Sequence, residues 1–206
     1  MVRNLKNMKS RFYLLTIFSL LLLLSACGIF RRPNPLTHDE GVVINGILWA
    51  TRNVDAPGTF AESPESFGML FQWNRRRAWT ATDDVTNWDS SIPDGVTWEK
   101  ENDPCPPGWR VPTETELYSL KNSDNIWTTQ NDVYGRLIGT APYQIFLPAA
   151  NSRNTYGRVP PFGNYWSNTA DMEELYDFAI SLSFMGHIIV LGANRSFGFS
   201  IRCVAL

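Results

Sequence analysis

The chain has 206 residues, 44% hydrophobic and 18% charged, with three cysteines and a net charge of −2. That is the profile of a globular protein with a real core, of a length that suits one ordinary domain. The mildly acidic balance excludes the basic footprint expected of a nucleic-acid partner.

Residues 1–26 read as an export leader rather than as fold. Arg3, Lys6, Lys9 and Arg11 precede an apolar run from Phe12 to Leu24 that is too short to span a bilayer. The run ends in Leu24-Ser25-Ala26-Cys27, which resembles a bacterial lipobox. Small residues give the signal peptidase access to the backbone, and the Cys27 sulfur takes a diacylglycerol thioether. The alternative is a chance cysteine at the end of an apolar run. Each buried acyl methylene contributes about 0.8 kcal/mol, so two or three chains hold the mature protein on a membrane without spanning it. Loss of the leader removes four cations and no anions, taking the net charge from −2 to −6. Residues 27–41 lack hydrophobic periodicity and carry two prolines, so they read as a lipidated tether; its last fourteen residues reach about 45 to 50 Å when extended.

The domain is expected over residues 42–206. In "VVINGILWATRNV", Val42 to Val54, Asn45-Gly46 lies between two β-rich apolar runs, a strong hairpin signal. From Ala56 to Pro104 the composition is rich in Trp, Asp, Asn, Ser and Pro with little periodicity, which predicts structured loops and one short helix near Phe67 to Trp73. A second helix is announced by Thr113 as N-cap with Glu116 completing a capping box; Pro112 precedes it and Leu117 and Leu120 form its apolar stripe. Strands are predicted at Tyr143–Ala150, Asn164–Thr169, Leu175–Phe184, His187–Gly192 and Phe197–Leu206, making a small antiparallel sheet. Within Leu175–Leu182, Tyr176, Phe178, Ile180 and Leu182 alternate with Leu175, Asp177, Ala179 and Ser181, giving one clearly apolar face.

With Cys27 committed to lipid, Cys105 and Cys203 are an even pair in an exported chain, so a disulfide is the economical reading. The enclosed loop is long, and the chain-entropy model gives about 4 to 5 kcal/mol of stabilisation before strain.

The ordered motifs "NGILWATRNV", "FGMLFQWNRRRAW", "DPCPPGWRVPTETEL", "VYGRLIGT", "IFLPAANSR", "YWSNT" and "GFSIRCV" resemble the Fibrobacter-type major paralogous domain (FISUMP), common in lipoproteins of the Bacteroides and Fibrobacter lineages. The resemblance runs from about Val42 to Ala205. It implies an α+β, C-type lectin-like fold, with small antiparallel sheets, one or two helices and long irregular loops. It also implies paired terminal strands and a bridge from Cys105 to Cys203 in the last strand. The implied location is the outer membrane, on its periplasmic or its cell-surface face. Acids soon after the lipidated cysteine accompany surface export in such lipoproteins, whereas here Arg31 and Arg32 come first and the acids begin at Asp39.

A fold does not by itself set a function, so each candidate site stands or falls on its chemistry. The carboxylate and amide motifs that hold calcium in lectins are missing, and Arg75 after Trp73-Asn74 repels a cation; no metal or cofactor is expected. Both mature cysteines are used structurally, and neither His38 nor His187 neighbours a nucleophile motif, so no enzyme is expected. Arg75, Arg76 and Arg77 between Trp73 and Trp79 form the densest positive cluster. They either bind an acidic glycan or partner protein or stack on the tryptophans to hold a loop. Trp49, Trp109 and Trp166 are expected in the core. Trp79, Trp88 and Trp98 either face sugar rings or fill loops. The expected function is a non-catalytic, membrane-anchored module binding glycan or protein at Trp73–Trp98; the alternative is a structural, tip or accessory subunit of a fimbria-like assembly.

Overall fold

Asn45 adopts a positive φ of 51°, and the Asn45-Gly46 turn closes the expected hairpin between β1 (Val42–Ile44) and β2 (Ile47–Trp49). The computed structural model describes residues 34, 36–159, 162–171 and 177–206; Cys27, the leader and most of the tether lie outside them. The remaining elements are β3 (Met69–Gln72), β4 (Ala78–Thr80), β5 (Trp109–Arg110), α1 (Glu114–Lys121), β6 (Asn125–Gln130), β7 (Val133–Thr140) and β8 (Tyr143–Pro148). After them come β9 (Ser152–Asn154), β10 (Gly157–Val159), β11 (Gly163–Ala170), β12 (Phe178–Phe184), β13 (Ile188–Asn194), β14 (Gly198–Phe199) and β15 (Val204–Ala205).

These strands form four small antiparallel sheets, ordered β1-β2-β15-β5, β10-β9-β14-β3-β4, β11-β12-β13 and β6-β7-β8. The last strand joins the opening hairpin where Val204 of β15 pairs with Trp49 of β2, and Cys105 is bonded to Cys203, the two Cα atoms lying 6.1 Å apart.

The expected α+β, C-type lectin-like architecture is overturned. Strand takes up 43% of the described residues and helix 5%, the latter being α1 alone. Two local causes are plain. The segment expected as a helix near Phe67 to Trp73 is β3, because Asn74 at a φ of 52° reverses the chain and β4 returns beside it, Phe71 opposite Ala78. The chain from 125 to 148, largely unassigned from sequence, is a meander: Asn131 and Asp132 take positive φ in a two-residue hairpin turn that pairs Gln130 with Val133. Gly135 hides that strand from a propensity reading, since a Cβ there would lie 2.4 Å from the Leu147 carbonyl oxygen. Only glycine admits β8 so close.

The capping box of α1 forms as expected. Thr113 Oγ1 accepts from the Glu116 amide and the Thr113 amide donates to Glu116 Oε2 at 2.7 Å. The helix lays Leu117 and Leu120 on the sheet β11-β12-β13, in a core with Trp49, Ile138, Tyr165, Leu182 and Phe184. The opposite face of β11 and β12 carries Trp166 and Ala179 into a second core with Phe71, Trp73, Trp98 and Phe199. Both faces of β12 are therefore covered: Ser181, on the face expected to be polar, is fully buried.

The domain's hydrogen bonding begins within the stretch read as tether. The Leu36 carbonyl accepts from the Phe60 amide. Buried Asp39 accepts from the amides of Gly41 and Thr51 and pairs with Arg52 at 3.1 Å.

Candidate functional site

The loop from Trp98 to Val111 is folded by its own sequence. Pro107 and Gly108 occupy the centre of a turn that the Trp109 amide closes on the Pro106 carbonyl at 3.0 Å, and the φ of 89° at Gly108 is the conformation that a Pro-Gly turn requires. Asp103 secures the other end. Its Oδ1 accepts from the Cys105 amide at 2.8 Å and its Oδ2 from the Val111 amide at 3.1 Å. Trp98 Nε1 donates to the Asn102 carbonyl at 3.0 Å. The disulfide then ties the loop to the strand end at Cys203.

Between this loop and its neighbours opens a cleft of about 760 Å³. Pro106, Pro107, Trp98 and the half-buried Trp109 make its apolar wall, and Arg76, Lys100, Asp103 and Arg110 stand in its lining. Trp109 is braced from behind by an edge-on contact with Phe60 at 5.6 Å. Arg110 grips Glu116 through two bonds, at 2.6 and 2.8 Å; this hydrogen bonding raises the Arg110 pKa further. Burial pushes the Asp103 carboxyl up, only partly offset by its two amide donors and by Arg76 and Arg110. Lys100 is exposed, and its ammonium makes no hydrogen bond or ion pair among the described residues. Arg76 is exposed and donates to the Asp103 carbonyl.

The residues singled out from sequence are not brought together as one displayed loop. Trp73 is fully buried, its Nε1 donating to the Ser167 carbonyl at 3.0 Å. Trp79 and Trp98 are buried as well. Trp88 is half-buried, with its ring 4.8 Å from that of Trp79. The arginines serve the loop-holding alternative in large part: Arg75 pairs with Asp89 and donates to Ser91 Oγ at 2.6 Å, and Arg77 stacks on Trp79 at 3.9 Å. Arg76 alone among the three also lines the large cleft. Of the tryptophans expected in the core, Trp49 and Trp166 are fully buried while Trp109 is half open. Sequence reasoning missed Lys100, Asp103 and Trp109 as site residues. The signal available was the Pro107-Gly108 turn, which displays the residue after it.

Among the described residues no group of three or more His, Cys, Asp or Glu side chains is placed to hold a metal ion, and no helix is long and apolar enough to cross a membrane. No family model matches the chain, and neither a curated protein nor a solved structure matches it.

Proposed function

We propose that the protein is a cell-envelope lipoprotein of the FISUMP type, acylated at Cys27, whose β-rich domain is a non-catalytic binding module for an acidic glycan. The leader ending in Leu24-Ser25-Ala26-Cys27 and the ordered motifs of the resemblance support the anchor and the outer-membrane setting. The observation that carries the binding reading is the cleft beside the disulfide, whose lining brings together the half-open Trp109 ring, two prolines, Arg76 and the exposed Lys100. An aromatic face stacks on the C–H face of a sugar ring, and cations at its rim pair with a uronate carboxylate. A cleft of this size holds a few sugar residues rather than a whole protein face.

The test is calorimetric titration with uronic-acid oligosaccharides and with neutral ones of equal length. Acidic oligomers should bind, and Lys100→Glu and Arg76→Glu should each weaken binding about tenfold or more, the scale of a charge-assisted contact. Equal affinity for neutral oligomers, or binding untouched by both substitutions, sinks the reading.

A further inference from the structure

β13 is an outer strand of the sheet β11-β12-β13. Its seven residues pair with β12 in unbroken register, Phe178 opposite Asn194 through Phe184 opposite Ile188. Among the described residues no hydrogen bond reaches the outward backbone N–H and C=O groups of Ile188, Val190 and Gly192; only at the strand's end does the Asn194 carbonyl accept one, from the Phe197 amide. Edge strands are usually kept from pairing by a charge, a proline or a bulge. The run Ile188 to Asn194 has no charged residue and no proline, and its register shows no bulge.

The side chains are sorted by face. Ile188 and Val190 turn toward the helix and its core. Ile189 and Leu191 turn the other way and stand 39% and 41% exposed, opposite Ser183 and Ser181 of β12. Asp171 Oδ2 lies where a Gly192 Cβ would point, on the face shared with Ile188 and Val190, so it does not charge the Ile189 face. An unguarded strand with a neutral, apolar face calls for an occupant of the same character, because a charged residue set against it would lose solvation with no partner.

We infer that the occupant is the same strand of a second copy of this chain, paired antiparallel about a two-fold axis through Val190. Residues directly opposite in an antiparallel pair share a face. An axis at Val190 therefore sets Ile189 against the partner's Leu191 and Leu191 against the partner's Ile189. The two exposed apolar side chains cover each other twice, which is the self-complementarity an isologous interface requires. Moving the axis one residue on, to Leu191, shifts the pairing register by two and would instead place His187 against the partner's Arg195. The result is one continuous six-stranded sheet across two copies. It leaves the cleft at Trp109 out of the contact, so it does not depend on the glycan reading.

The test uses the full-length protein extracted from membranes in a non-ionic detergent. Sedimentation velocity should give a dimer for the native sequence and a monomer for Leu191→Lys, at an unchanged melting temperature. Should Leu191→Lys melt much lower, Leu191→Thr takes its place, and it should shift the midpoint of dimer dissociation to higher concentration by tenfold or more. The register is read by oxidation in membranes: chains carrying Ile189→Cys and Leu191→Cys, mixed, should give a disulfide-linked dimer that neither gives alone. A native chain that stays monomeric, a dimer indifferent to both Leu191 substitutions, or self-linking of Ile189→Cys each overturns the proposal. So does a monomer that takes up a foreign strand at β13.

Discussion

Arg202 donates to Asn53 Oδ1 through both Nε and Nη2, at 3.1 and 2.7 Å, with neither residue exposed to more than 1%. The same guanidinium reaches the carbonyls of Ala50 at 3.1 Å and Phe146 at 2.9 Å, so a single side chain fastens the β2 end, the β8 strand and the last strand together. Burial lowers its pKa, and among the described residues no carboxylate pairs with it. Arg202→Met keeps much of the volume but strands three buried acceptors, and its cost is expected at about 3 to 5 kcal/mol. Asn53→Ala leaves the cation without its side-chain acceptor. In urea melts the double substitution should destabilise by clearly less than the sum of the singles, because both remove one interaction. Additive costs would show that the pair is not coupled.

The bridge from Cys105 to Cys203 closes a span of 98 positions. Cys203 is fully buried and Cys105 nearly so, so Cys203→Ser loses the cross-link and leaves a hydroxyl in an apolar site. A destabilisation of about 3 to 5 kcal/mol is expected. Non-reducing peptide mapping of the native protein should recover the linked pair. Finding both thiols free would remove the bridge from the account.

What could be read from sequence follows physical lines. Signals that act within four residues were legible: the Asn45-Gly46 turn, the Thr113 and Glu116 box, and the alternation from Phe178 to Leu182. Signals that depend on a neighbour's approach were not. Gly135 looks like a strand breaker until the Leu147 carbonyl is seen against it, and Asn74 looks like a loop residue until its positive φ is known to close a hairpin. The four buried arginines Arg136, Arg153, Arg195 and Arg202 were invisible for the same reason. Much of their hydrogen bonding is to backbone carbonyls of distant segments, such as Gly186, Asp83 and Gly95, and no sequence pattern marks a carbonyl. The aromatic and basic segment from Trp73 to Trp98 suggested display, yet the same composition builds a small loop-rich core.

Glu116 provides a pH test. Burial pushes its carboxyl up, but the Arg110 hydrogen bonds and the Thr113 donors outweigh it, so its pKa falls below the ordinary 4.5. A carboxylate with a depressed folded pKa adds stability that is present above the unfolded value and is lost as the pH falls through the folded one. Glu116→Gln should therefore cost stability at neutral pH and converge on the native protein in acid below 4.5. Asp103 runs the other way. Its pKa is raised, chiefly by burial, so its contribution to stability falls as the pH climbs from its ordinary 3.8 through the folded value. Thermal melts of Glu116→Gln and Asp103→Asn between pH 3 and 7, a range of about 4 units, should diverge from the native curve with opposite slopes; parallel curves would remove both assignments.

Burial separates the cleft from the framework that carries it. Trp79 is 4% exposed, with Nε1 bonded to Gln72 Oε1 at 3.3 Å and its ring against Trp88. Trp79→Ala removes a large side chain from a packed site and should destabilise by about 3 to 5 kcal/mol. Arg77 lies over the outer face of that ring in solvent, and Arg77→Ala should cost no more than about 1 kcal/mol. Lys100 is exposed and makes no hydrogen bond or ion pair among the described residues, so Lys100→Glu should leave the melting temperature within about 2 °C of the native value while changing uronate binding. Trp109→Ala should do both, since the ring is braced by Phe60 on one side and open to the cleft on the other. A Trp79→Ala protein of native stability, or a Lys100→Glu protein that unfolds, would reverse the division between core and site drawn from burial.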